Sequence, residues 1–323
     1  MDLRTILAPI QDDLAVFEQE FKEMFRSNID VIDQIADHLI RAKGKRLRPA
    51  LVLLSAATHG QPRQDAIRVA AIVELIHTAT LVHDDVVDEA TVRRGLPSLN
   101  SIWDNHVSVL LGDYLLAKAL TLILLLDSRD MMLTISRSTE RLSKGELLQA
   151  NQGADPDITE AEYFEIIGDK TASLVSAGCE IGAFLTSGSK DVAACFRQYG
   201  ESLGLAFQIA DDLLDFVGDA DTIGKPTGND VRTGTVTLPL IRALQRAPHA
   251  EAAAIREIID GEIDDGDWQR VIEFTKARGG IEYARQKAEA FAATAKAQLN
   301  SVKDSPAKRS LLAMVDYAID REK

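Results

Sequence analysis

Two short acidic segments stand out for what they could bind. Asp84-Asp85-Val86-Val87-Asp88 and Asp211-Asp212-Leu213-Leu214-Asp215 share the pattern D-D-x-x-D and start 127 residues apart (211 − 84). On a helix of ~3.6 residues per turn, Asp84 and Asp88 fall on one face, one turn apart. Carboxylates crowded in this way repel unless protons or cations neutralise them. Hard oxygen ligands with room for water suit Mg²⁺, which bridges carboxylates to phosphate groups. Two such faces opposed across a cleft would hold a diphosphate through several Mg²⁺ ions and help it depart as a leaving group. The expected metal ligands are Asp84, Asp88, Asp211, Asp212 and Asp215, with Asp85 in support. A lone acidic triplet is more often a solvated helix face. Here, however, Leu81-Val82 and Val86-Val87 flank and interrupt the first segment, and Phe207, Ile209, Ala210 and Leu213-Leu214 do so for the second. Carboxylates set in apolar helices face an interior or a cleft, where their charge must be compensated.

Cations suited to phosphate are clustered nearby. Lys43-Gly44-Lys45-Arg46-Leu47-Arg48-Pro49 is the densest basic stretch in a chain of net charge −14. Arg93-Arg94-Gly95 follows the first acidic segment, and His77 precedes Asp84 by seven residues, about two helical turns. Arg grips phosphate oxygens with two parallel donors, while Lys acts as a compact point charge. An isolated basic loop would read as an exposed surface. Beside carboxylates of Mg²⁺ type, it reads better as a second diphosphate site.

These residues resemble one known family closely, the trans-prenyl diphosphate synthases. The resemblance runs through most of the chain: Gly44 to Pro49, Glu74-Leu75-Ile76-His77 through Arg93-Arg94-Gly95, Leu111-Gly112-Asp113-Tyr114-Leu115, and Gly145-Glu146. It continues with Lys170-Thr171-Ala172, Gly204 to Gln208, the second acidic segment, Gly224-Lys225 with Asp230, and Thr237-Leu238-Pro239. The pattern is most like the long-chain bacterial members that make octaprenyl, solanesyl or decaprenyl chains for quinones. What the resemblance implies is Mg²⁺-dependent, head-to-tail addition of isopentenyl diphosphate to an allylic diphosphate, giving about eight to ten isoprene units. It implies Lys45, Arg48, His77 and Arg94 on the isopentenyl diphosphate. Arg93, Lys170, Thr171, Gln208 and Lys225 would attend the allylic diphosphate, with Lys170 and Lys225 sharing in catalysis with the aspartates. One position departs from the pattern: Thr235 follows Gly234 where the family usually has Lys, and it is given no binding role.

Product length should be set on the helix of the first acidic segment. In the family, a bulky aromatic one turn before it stops growth early; here that turn holds the small Ala79 and Thr80. Ile123, in an aliphatic run, is a candidate for the floor of the tunnel. A geranylgeranyl or farnesyl synthase is the main alternative, since it shares every diphosphate motif. A non-catalytic synthase subunit would be expected to lose carboxylates, and both segments are intact.

The elements that must position these residues read as helices. The expected architecture is all-α, a single-domain bundle over residues 1–323 around an apolar tunnel. Apolar residues recur at helical intervals from Leu14 to Ala42. Further helices are expected over Pro49–Thr58, Asp65–Glu89, Val107–Leu126, Ser128–Ala150, Glu160–Leu185, Lys190–Phe216 and Leu238–Gln245. Thr159, followed by Glu160 and Glu162, is suited to open a helix. Residues Asp219–Thr235 read as a loop that could close over diphosphate. Cys179 and Cys195 lack metal-ligand spacing and suit a reducing compartment, so the expected location is cytoplasmic. The acidic balance argues against nucleic acid. The longest unbroken aliphatic run, Leu122–Leu126, is far short of the ~20 residues of a membrane span, leaving at most a peripheral membrane contact for product release. The Val107–Leu126 helix has more apolar residues than one face can bury, which suggests a homodimer.

Overall fold

The computed structural model describes residues 1–25, 29–41, 44–62, 64–93, 95–152, 155–217 and 228–320. Among these, the only strands are the two-residue pair Val92–Arg93 and Leu96–Pro97, and the rest of the architecture is helical. The ten helices that position the site are α1 Leu3–Leu7, α2 Gln11–Met24, α3 Asp30–Arg41, α4 Leu47–Ala57, α5 Gln64–Val87, α6 Leu99–Leu124, α7 Arg129–Gln152, α8 Glu160–Ile167, α9 Ser173–Ser187 and α10 Lys190–Val217. Shorter helices follow over Leu238–Arg246, His249–Ile259 and Asp265–Ala277, and then the longer Gly280–Gln298 and Pro306–Ile319.

α5 is the central rod. Ala66, Ile67 and every residue from Val69 to Ile76 are buried, because apolar side chains surround the helix rather than lining one stripe. Such a helix belongs inside a bundle. It packs on α4 and α6, while α10 packs on α9 and on Gly280–Gln298. Two hydrophobic clusters result. The larger gathers α1 to α7, α9 and the first part of α10 with Gly280–Gln298 and Pro306–Ile319; the smaller lies around Ile209, Leu213, Phe216, Leu240 and Trp268. Phe291 and Ile319 pack against both.

Several boundaries differ from the sequence reading. The expected Leu14–Ala42 helix is two helices, α2 and α3, with residues 26–28 outside the described set. The segment expected to start near Val107 begins earlier, at Leu99, but is kinked at Asp104 (φ 72°), whose Oδ1 accepts from the Val107 backbone N–H at 3.0 Å. The carboxylate thus caps the second half of α6, where the helical pattern resumes. The Glu160–Leu185 helix is interrupted: α8 and α9 are joined by a single π turn, Gly168–Ala172. Its opening follows expectation, with Thr159 and Glu162 exchanging side-chain-to-backbone hydrogen bonds in a capping box.

By length and composition α5 and α6 are both apolar enough to cross a bilayer, although neither contains a long unbroken aliphatic run. The most apolar window of α5 is 67% buried inside the protein, that of α6 only 33%. Ile102, Val109, Leu110, Leu120, Leu124 and Leu125 stand exposed on or just beyond α6.

Candidate active site

Both acidic segments occupy the C-terminal ends of long helices. α5 ends at Val87, and the chain closes there with Glu89 in the left-handed region (φ 50°) and the Ala90 N–H donating to the Asp85 carbonyl at 2.9 Å. α10 ends at Val217, and neither helix has a basic residue in its last turn. The negative end of a helix dipole disfavours carboxylates. Two sets of three aspartates placed there need cations from elsewhere.

Within the first segment the carboxylates have different surroundings. Asp85 is buried and bound by Arg93 at 2.6 Å, while the Asn100 side-chain amide donates to its backbone carbonyl at 3.0 Å. Asp84 is pushed up to about 6, first by burial, with Glu146 and Asp88 adding like charge and Lys170 opposing them. Asp88 lies exposed just past the helix end.

In the second segment Asp212 is buried. It accepts from the Tyr163 hydroxyl at 2.7 Å and from the Gln208 amide at 2.8 Å, and burial and the nearby Asp230 push it up to about 8. Asp215 accepts from the backbone N–H of Asp230 at 3.0 Å, and its carbonyl accepts from the Gly228 N–H at 3.0 Å. Asp211 is exposed.

Lys170 joins the two. It pairs with Glu146 at 2.7 Å, its charge acts on Asp84, and it lines a solvent-open cavity of about 630 Å³ with Thr171, Gln208, Asp212 and Asp230. Thr171 Oγ1 donates to Gln208 Oε1 at 2.9 Å. Thr235 also lines this cavity, although the sequence reading gave it no role. Arg48 and His77 meet at 3.0 Å (Nη1 to Nε2), and Lys45 lies over the Tyr317 ring, 5.3 Å from its centre. Arg94 and Lys225, and most of the Asp219–Thr235 loop, lie outside the described residues. Of the residues named for product length, Ala79 and Ile123 are buried in the larger core, and Thr80 donates its hydroxyl to the His77 carbonyl at 2.9 Å.

The residues present fit divalent cations held jointly with a phosphate ligand. Among the described residues no three Asp, Glu, His or Cys side chains enclose a metal position by themselves. The donors are carboxylates whose charge burial and helix ends leave undercompensated, which is the setting for Mg²⁺ that keeps waters and takes oxygens from substrate. Sequence reasoning missed Tyr163 and Arg141. The spacing of Tyr163, seven residues or about two turns before Lys170, was the available signal. No sequence signal marked Arg141.

Residues 29–274 match the family model described as polyprenyl synthetase, more than half of the chain. The chain is 37% identical over 317 residues to the all-trans-nonaprenyl-diphosphate synthase (geranyl-diphosphate specific) of Rhodobacter capsulatus, covering 98% of this chain and 97% of that one. It is 34% identical to the octaprenyl diphosphate synthase of Escherichia coli (strain K12), with both chains fully covered. Its fold superposes on the crystal structure of a polyprenyl synthase from Caulobacter crescentus CB15 complexed with calcium and isoprenyl diphosphate, with a TM-score of 0.93 at 35% identity, covering 100% of this chain and 98% of that one.

Proposed function

The chain belongs to the polyprenyl synthetase family, and from that premise we propose that it extends an allylic diphosphate with isopentenyl diphosphate, head to tail, to an all-trans chain of about eight to ten isoprene units. The observation that carries this reading is Lys170, whose charge acts on Asp84 of one acidic segment while it shares a cavity with Asp212 of the other. Both segments therefore serve one cleft.

Asp84, Asp88, Asp211, Asp212 and Asp215 would hold Mg²⁺, which when bound supplies positive charge to the departing diphosphate. Lys170 and Thr171 orient the allylic diphosphate, with Gln208 fixing the Thr171 hydroxyl. Arg48 and His77, already in contact, bind the isopentenyl diphosphate with Lys45. The allylic C–O bond breaks, the isopentenyl double bond attacks the resulting cation, and the proton then lost passes to the released diphosphate. Water must be excluded from the cation, and the apolar flanks Leu81, Val82, Phe207 and Leu214 suit that task.

The small Ala79 and Thr80 leave the start of the product path uncrowded, which favours the long product over farnesyl or geranylgeranyl length. A homodimer through α6 belongs to the same reading, supported by the exposed Val109, Leu110, Leu120 and Leu124. So does a single synthase domain over 1–323, supported by Phe291 and Ile319 packing on both cores. A cytoplasmic location and a role in quinone side chains complete it. The test is incubation of the purified protein with Mg²⁺, farnesyl or geranyl diphosphate and isopentenyl diphosphate, followed by chain-length analysis. Products of 40 to 50 carbons are expected (eight to ten five-carbon units), and absence of any condensation refutes the proposal.

A further inference from the structure

Lys170 and Thr171 reach the cleft from an unusual piece of backbone. They sit in the middle of the π turn Gly168–Ala172 that joins α8 to α9. A π turn is rare and recurs at functional sites. Something must hold it in place.

α7 and α10 do so from opposite sides. Arg141 on α7 donates from Nε to Asp169 Oδ1 at 2.7 Å and from Nη2 to the Gly168 carbonyl at 3.2 Å. The same guanidinium meets Glu201 on α10 with both terminal nitrogens, Nη2 to Oε1 at 2.7 Å and Nη1 to Oε2 at 3.2 Å. All of its nitrogens are engaged, and two of the four contacts fall on the first two residues of the turn. The backbone approach is equally close. A Cβ at Gly145 would stand 2.5 Å from the Lys170 nitrogen, and one at Gly204 would stand 2.5 Å from the Ala172 Cα.

We propose that Arg141, together with Asp169 and Glu201, is a positioning group that pins the π turn and thereby aims Lys170 and Thr171 at the allylic diphosphate. The assignment of that substrate rests on the function proposed above. A plain surface ion pair is the competing description, since the Arg141 side chain is 40% exposed. An isolated exposed pair contributes little and favours neither substrate. A pinned turn predicts a selective effect.

The decisive comparison is Arg141→Met, which keeps the aliphatic stem and removes the guanidinium, against the unsubstituted protein. Amide hydrogen exchange across 168–172, without any substrate, is expected to quicken about tenfold, the scale of one charge-assisted hydrogen bond. In steady-state assays the KM for allylic diphosphate should rise about tenfold for the same reason, while that for isopentenyl diphosphate stays within about twofold. Asp169→Asn, which retains an acceptor for Nε, should show a milder form of both effects, and it is read in the same way should Arg141→Met fail to fold. Unchanged exchange in the turn would overturn the proposal. So would faster exchange accompanied by equal rises in both KM values. If the unsubstituted protein makes no polyprenyl product, the functional reading fails, but the exchange measurement still decides whether Arg141 holds the turn.

Discussion

The two acidic segments share a pattern and a helix position, yet the structure braces them differently. In the second, Asp212 takes hydrogen bonds from α8 and from its own helix, through Tyr163 and Gln208, and Asp215 takes one from the segment around Asp230. In the first, the strong contact is Arg93 on Asp85, and it engages the one aspartate that the helical pattern turns away from Asp84 and Asp88. The second segment is thus a shaped wall set by neutral donors. The first leaves Asp84 half-buried and Asp88 exposed, and at Asp84 burial outweighs the opposing charge of Lys170. One sequence pattern is therefore braced in two ways, and under the function proposed above it would form a fixed half and an adaptable half of one metal site.

The harshest way to break this comparison is to delete one carboxylate from each half. Asp84→Ala and Asp211→Ala should each lower kcat by at least ~10²-fold, on the scale of losing one preorganised electrostatic contact. The melting temperature should hold or rise for Asp84→Ala, because a half-buried, repelled carboxylate is removed. Either variant retaining near-normal turnover in Mg²⁺ would remove its aspartate from the metal site.

The next test separates the two diphosphates. Lys45→Ala and Arg48→Ala should weaken isopentenyl diphosphate by ~1.5–3 kcal/mol, about tenfold to over a hundredfold, and affect the allylic substrate much less. Equal losses for both substrates would mean that the basic cluster serves the wrong site.

What lies behind each segment also differs, and the start of the product path is expected on α5, with Ile123 of α6 as a candidate floor. Ala79→Tyr places a ring five residues, ~7.5 Å of helix rise, before Asp84. Ala79 is fully buried, so overpacking should cost ~1–3 kcal/mol in stability as well as shorten the product to 15 to 20 carbons. A variant that folds and still makes the full-length distribution would refute the assignment of Ala79.

Tyr163→Phe probes the braced half more gently. It leaves a buried Asp212 oxygen short of one donor, a loss of ~1–3 kcal/mol. The Mg²⁺ concentration for half-maximal rate should rise several-fold, with kcat at saturating Mg²⁺ changing less. An unaltered Mg²⁺ dependence would show that Tyr163 serves packing only.

The helical bundle and the acidic pair were legible in the sequence because both depend on periodicity. Apolar spacing around α5 and α10, and D-D-x-x-D within them, repeat with the helix itself. The helix entry at Thr159 was legible for a similar reason, being a local pattern closed within four residues. The π turn at Gly168–Ala172 was not. Its cause is tertiary: α7 and α10 press on the backbone at Gly145 and Gly204, and Arg141 reaches it from 28 residues away. The bracing of Asp212 by Tyr163 spans 49 residues, so the spacing of Tyr163 to Lys170 could not reveal its partner. Unbroken aliphatic runs did not reveal how apolar α5 and α6 are as whole helices, because their apolar residues are interspersed with polar ones.

The smallest effect is expected from pH, and it distinguishes the halves by range. Burial raises Asp84 to about 6 and Asp212 to about 8, both above the ordinary value of 3.8. Without metal, the folded protein keeps protons on these groups that the unfolded chain releases above about pH 4. Their contribution to stability is therefore complete below that pH and is lost as pH rises, through about 6 for Asp84 and about 8 for Asp212. Mg²⁺ needs the carboxylates ionised, so its binding acts in the opposite sense. Adding Mg²⁺ with inorganic diphosphate should raise the melting temperature by a few degrees more at pH 8.5 than at pH 5.5, given about 2–4 °C per kcal/mol for a chain of a few hundred residues. In Asp212→Asn the upper part of that rise, between pH 6.5 and 8.5, should flatten, while the part below pH 6.5 remains with Asp84. A Mg²⁺-dependent shift that is equal at the two pH values would mean that neither Asp84 nor Asp212 changes protonation when the metal binds.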